Sequence, residues 1–65
     1  MDAEVIAQRL IKLRGGKSRE QVAKDLEISV SAIAMYENGA RIPRDEMKKK
    51  IAQYYGVSVE EIFFS

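Results

Sequence analysis

Residues 18–39, SREQVAKDLEISVSAIAMYENG, constrain this chain more than any other stretch. They read as two short helices, about 18–26 and 29–38, joined by a tight turn. Ser18, followed three residues later by Gln21, is an N-cap with a capping-box partner. Val22 and Leu26 lie four apart with Ala23 beside them, an apolar stripe over two turns. Glu27-Ile28 interrupts the stripe, and Ser29 can cap a second helix that runs to Asn38. Gly39 then stands where a helix commonly ends on a residue of positive φ.

The remaining segments carry the same periodicity. Ile6, Leu10 and Leu13 place a first helix at about Ala3 to Arg14, ended by Gly15-Gly16. Met47, Ile51 and Tyr55 form one face of a helix from about Arg44 to Tyr55, and Gly56 stops it. Ser58 caps a short last helix carrying Ile62 and Phe63, with Glu60 and Glu61 in the first turn, where acids favour the helix dipole. No strand pattern, repeat or linker interrupts the series. The expectation is an all-α fold, a compact five-helix bundle forming a single domain over residues 1–65. A domain of about 60 residues buries only about 60% of its unfolded surface, so dimerisation or tight helix packing would help it.

Composition removes whole classes of function. The chain has no cysteine and no histidine. Disulfides, thiolate metal sites, the commonest metal ligand and the commonest general base are therefore absent. Glu60 and Glu61, adjacent on a helix, diverge and cannot serve as a paired acid and base. The expectation is no enzyme, no metal, no cofactor and no small-molecule ligand. No apolar run reaches 18 residues and no signal-peptide pattern opens the chain, so the reading is cytoplasmic with no membrane partner.

The net charge of +1 says little, but its distribution says more. Arg9, Lys12, Arg14, Lys17 and Arg19 follow one another with no acid between them, and Arg41, Arg44, Lys48, Lys49 and Lys50 form a second group. Acids gather at Asp2 and Glu4, at Asp25 and Glu27, and at Glu60 and Glu61. A near-neutral sum can thus hide a bipolar molecule with one face for phosphates.

Taken in order and spacing, these marks resemble the Cro/phage-repressor (XRE-like) helix-turn-helix family from roughly Ile6 to Phe63. The carriers are Glu20 to Ala23, Ile28-Ser29, Tyr36-Glu37-Asn38-Gly39, Pro43, Ile51-Ala52, Tyr55-Gly56-Val57-Ser58 and Ile62-Phe63. The resemblance implies a lambda-repressor-like bundle that places its third helix in the major groove of double-stranded DNA. It also implies a homodimeric transcriptional regulator, with repression as the output. Periodicity turns Ile33 and Tyr36 inward, and the resemblance puts Val30, Ser31, Ala34 and Met35 over the base edges. Many relatives carry Gln, Arg or Thr there, whereas Val30, Ala34 and Met35 offer only apolar contact, suited to thymine methyls.

For phosphates, the resemblance nominates Arg19 in the place of a common Gln, Asn38, Ser18 and Ser29 at helix starts, and Lys17 and Arg41 on the flanks. Arg14 is expected to pair with Glu37 and also to approach phosphate. The link from Arg14 to Ser18 is about two residues shorter than in many relatives, which Gly15 and Gly16 can accommodate. Glu27 stands where a turn glycine is common; if the turn needs positive φ, glutamate costs on the order of 1 kcal/mol. Phe63 matches the core aromatic that closes the fold in the resembled family, and Phe64 beside it is expected to form a dimer surface with Ile62 and Tyr54. A different class remains open, a protein-binding adaptor using the apolar face of the third helix.

Overall fold

A computed structural model describes residues 2–64 of the chain. Five helices follow in order: α1 (Ala3–Arg14), α2 (Arg19–Leu26), α3 (Val30–Glu37), α4 (Asp45–Tyr55) and α5 (Val59–Phe63). No strand occurs among the described residues. Four of the helices start on a side-chain cap. Asp2 accepts from the backbone N–H groups of Glu4 and Val5, Ser18 from Gln21, Ser29 from Ala32 and Ser58 from Glu61. Each cap satisfies donors that the first helical turn leaves without an intrahelical partner. Only Ser58 completes a capping box, because the Glu61 carboxylate accepts in return from the Ser58 N–H. The box expected at Ser18 is half made: the Gln21 amide donates to Asp25 Oδ1 at 2.8 Å, one turn along the same helix.

The inward faces assemble one core. Ile6 and Leu10 of α1, Val22, Ala23 and Leu26 of α2, Ile33 and Tyr36 of α3, Ile51 and Ala52 of α4, and Ile62 and Phe63 of α5 are all buried. Each such aliphatic or aromatic side chain stabilises by about 1.5–3 kcal/mol when fully withdrawn from water. Along α4 the face is rotated from the expected one. Ile51 is buried, Met47 and Tyr55 only partly so, and Lys48 and Ala52 turn inward instead.

Two turns fix how the helices meet. Between α1 and α2 the Lys17 N–H donates to the Arg14 carbonyl at 3.1 Å, closing a four-residue turn. Its first central residue, Gly15, has φ 56° and ψ −124°, the geometry of a type II′ turn that side chains resist. The short link is possible because a glycine stands there. Between α2 and α3, Glu27 adopts the left-handed conformation, with φ 59° and ψ 41°. The Ile28 N–H reaches back to the Ala23 carbonyl at 3.0 Å, and Ile28 packs on the core. Gly56 ends α4 in the same way, with Val57 donating to Ala52. The hydrogen bonds and the Ile28 contact hold Glu27 in a conformation it disfavours by itself.

Glu27→Gly is therefore expected to raise unfolding stability by about 0.5–1 kcal/mol. Gly15→Ala is expected to lower it by about 1–3 kcal/mol, while Gly16→Ala, facing open space, leaves it nearly unchanged. Urea unfolding of the three variants checks the order.

Candidate nucleic-acid interface

Helices α2 and α3 and the turn between them carry one face of the molecule. With Ile33, Tyr36 and Glu37 of α3 turned inward, its outward side is left to Val30, Ser31, Ala34 and Met35. Val30 is 41% exposed and Ser31 is exposed, while Ala34 and Met35 are half-buried. The four expected base-facing residues thus share one side of α3. Ile42, in the loop after α3, adds an exposed apolar side chain that periodicity could not anticipate outside a helix.

The end of α3 is tied down by its own loop. The Met35 carbonyl accepts from the N–H groups of Ala40 at 3.0 Å and Arg41 at 3.2 Å. Asn38 Oδ1 also accepts from the Ala40 N–H, at 2.9 Å. Asn38 and Arg41 are both exposed, at and just beyond the C-terminal end of α3.

Beneath the face lies a buried carboxylate. The Glu37 side chain is 2% exposed, and its two oxygens are divided between two arginines. Arg14 Nε donates to Oε2 at 2.8 Å and Arg19 Nε donates to Oε1 at 2.9 Å. Arg14 also donates through Nη1 to the Lys17 carbonyl at 2.8 Å, and the hydrogen bond it donates to Glu37 holds its guanidinium pKa above the ordinary value. The expected pairing of Arg14 with Glu37 is present. With two of its nitrogens already bonded within the protein and its side chain 19% exposed, Arg14 keeps little of its guanidinium for a phosphate. Arg19 stays at the surface, 43% exposed, and its bond to Glu37 spans 18 positions of sequence.

Other expected cations are distributed differently from a single stripe. Arg9 donates to the Ile62 carbonyl at 3.0 Å, at the end of α5. Lys17 donates to the Tyr54 hydroxyl at 3.1 Å and lies 4.6 Å from the centre of that ring. The Tyr54 hydroxyl in turn donates to Asp25 Oδ2, which holds the Asp25 carboxyl below the usual range. Lys48 is buried, within 3.4 Å of Asp45 Oδ1 and over the rings of Phe63 and Phe64. It is withdrawn from any phosphate. Its signal was its place one turn before Ile51 and Ala52, on the face that periodicity assigns to the core. Ser18 and Ser29 accept backbone N–H groups as caps, and their hydroxyl hydrogens are what they could still give a phosphate.

The three residues expected in a dimer surface do not lie together. Ile62 is 1% exposed and belongs to the core, because α5 points it inward with Phe63. Tyr54 is half-buried and faces Lys17 and Asp25. Phe64, 59% exposed, stands against Lys48 near the other end of α4. Only Phe64 keeps an open apolar surface.

Comparison with known proteins adds three findings. A family described as helix-turn-helix matches residues 7–62. The HTH-type transcriptional activator BcrR of Enterococcus faecalis is 35% identical over 57 residues, which is 85% of this chain. The chain spans only 28% of that relative's length. No solved structure matches. Among the described residues, no helix is long and apolar enough to cross a membrane.

Tyr55 gives the site a pH signature. Burial, and next the Glu37 charge, push its phenol up to about 12 from 10.0. The folded state then holds a proton that the unfolded state releases, so this contribution is complete below pH 10 and is lost as pH rises toward about 12. Wild-type stability is expected to fall through that window and Tyr55→Phe to flatten the fall. Urea unfolding across alkaline pH, with tyrosinate absorbance of the native protein, checks it.

Proposed function

The chain belongs to the XRE-type helix-turn-helix family of DNA-binding regulators, and from that membership we propose that it lays α3 in the major groove of double-stranded DNA. The observation that carries the reading is the outward side of α3: Val30, Ser31, Ala34 and Met35 on one flank, with Arg19 at the start of α2 and Asn38 and Arg41 at the end of α3. Apolar groups suited to thymine methyls are thereby bordered by donors suited to phosphates. Arg19, Arg41 and Asn38 are the principal phosphate contacts, with Lys17, Ser18 and Ser29 at the margin. Arg14 acts mainly from below.

One α3 covers too few base pairs to select a site in a genome, so two copies bind a two-fold site with half-sites about 10 base pairs apart. Phe64 is the apolar centre of their contact. Occupancy of a promoter is enough to block it, and repression is the output that binding alone supplies. Activation, which the name of the Enterococcus relative states, requires a further surface for polymerase. A protein with this role works where the genome is, in the cytoplasm. The adaptor reading draws on the exposed Val30 and Ile42, and the tests below separate it.

Sites selected from random DNA are expected to be rich in thymine opposite α3. Replacing those thymines by uracil removes the methyl groups and is expected to weaken binding at one or more positions of each half-site. Equal affinity for the uracil duplex would remove apolar readout, and no salt-dependent binding to any duplex would favour the adaptor. Phe64→Asp is expected to shift the protein toward monomer in sedimentation and to weaken operator binding, with helical circular dichroism unchanged.

A further inference from the structure

Glu37 lies beneath the face proposed to meet DNA, its side chain only 2% exposed, yet it holds one edge of the guanidinium best placed to do so. The bond to Arg19 uses Nε alone. The two terminal nitrogens of Arg19 make no hydrogen bond among the described residues, on a side chain 43% exposed. Arg19 is also the first residue of α2, whose cap leaves the Arg19 and Glu20 backbone N–H groups without partners, since Ser18 takes the N–H groups of Gln21 and Val22. An arginine is planar and presents its donors as a rigid fork. Fixing Nε therefore fixes the direction of the remaining N–H groups.

We propose that Glu37 is a positioning residue for DNA binding: by holding Arg19 Nε, it aims the terminal amino groups of Arg19 outward beside the α2 N-terminus, preset to grip one backbone phosphate. The proposal rests on the reading that this face binds DNA. It makes the end of α3 and the phosphate anchor of α2 parts of one device, since Glu37 closes α3 and Arg19 opens α2. Arg14 completes it by taking the other oxygen, so Glu37 is shared and not drawn wholly to Arg19.

The sign of the expected effect separates positioning from simple charge. Glu37 carries a negative charge close to where DNA would lie, and removing it should strengthen attraction to phosphate if only long-range charge matters. If Glu37 positions Arg19, its loss weakens binding. Glu37→Gln keeps one acceptor oxygen but turns an NH2 group toward the other arginine. Arg14, the less exposed and doubly bonded partner, retains the oxygen, and Arg19 is released.

The experiment measures affinity for a mixed-sequence duplex at several salt concentrations. The proteins are wild type, Arg19→Ala, Arg19→Lys, Glu37→Gln and the double variant Glu37→Gln with Arg19→Ala. Arg19→Ala is expected to lose roughly tenfold in affinity, with a salt slope lower by about 0.9. Arg19→Lys keeps the charge but has no fork, so most of the affinity loss should persist. Glu37→Gln should weaken binding when Arg19 is present and change nothing further once Arg19 is alanine.

Full recovery by Arg19→Lys overturns the proposal, as does an equal effect of Glu37→Gln in both backgrounds, or tighter binding by Glu37→Gln. Should Glu37→Gln fail to fold, Arg19→Lys alone decides, since it leaves the Arg14 pair in place. Unchanged affinity and slope in Arg19→Ala, with wild type still binding, overturns the positioning role and leaves the DNA reading standing. Absence of salt-dependent binding by wild type takes down both.

Discussion

One buried carboxylate joins the three N-terminal helices. Glu37, at the end of α3, receives the last residue of α1 through Arg14 and the first residue of α2 through Arg19. A carboxylate almost withdrawn from water is tolerable only with such partners, and breaking a buried pair by removing one member costs about 3–5 kcal/mol. For a small domain that is a large part of its net stability. The interaction is also directional. Each oxygen takes one Nε–H, so the two guanidinium planes are fixed relative to α3 and to each other. Tyr55 of α4 feels the same charge, which brings a fourth helix into the arrangement.

The turns make that meeting geometrically possible. A type II′ turn at Gly15 brings α2 back close enough for Arg14 and Arg19, five positions apart, to reach one acceptor from two sides. The left-handed Glu27 then sets α3 against α2 so that Ile33 and Tyr36 enter the core while Val30 and Ser31 stay outside. Backbone strain at Glu27 is offset by the Ile28 hydrogen bond and by the packing of Ile28 on the core. The orientation of the outward face is thus a consequence of core packing and turn chemistry acting together. A second polar group, Lys17 with Tyr54 and Asp25, ties the α1–α2 link and α2 to α4.

This construction bears on the DNA-binding role proposed for the face. Most cations of the basic run are held by structural partners, and the outward side of α3 is mainly apolar, so this face offers few directional base contacts. Recognition would depend on a few well-oriented donors around an apolar strip. On the proposed reading, such an arrangement would favour shape and methyl contacts over hydrogen-bond reading, with the orientation of each phosphate donor counting for more than the total charge.

Local chemistry was legible in the sequence because caps, stops and apolar periods act over a few residues. Ser18, Ser29 and Ser58 start helices, Gly15, Gly39 and Gly56 follow their ends, and the inward places of Ile6, Leu10, Val22, Ile33 and Ile51 follow from spacing, while that of Phe63 was implied by the family resemblance. The pairing of Arg14 with Glu37 was legible only through family resemblance. What periodicity could not assign were the partners of long side chains, whose reach spans several turns and several helices. Arg19 meets Glu37, Arg9 meets the end of α5, and Lys48 lies under two phenylalanine rings because tertiary packing brings those groups within reach. The same packing decided that Ile62 is core and Phe64 is surface: their spacing marks both as apolar, and only the docking of α5 on α1 and α4 says which one is covered.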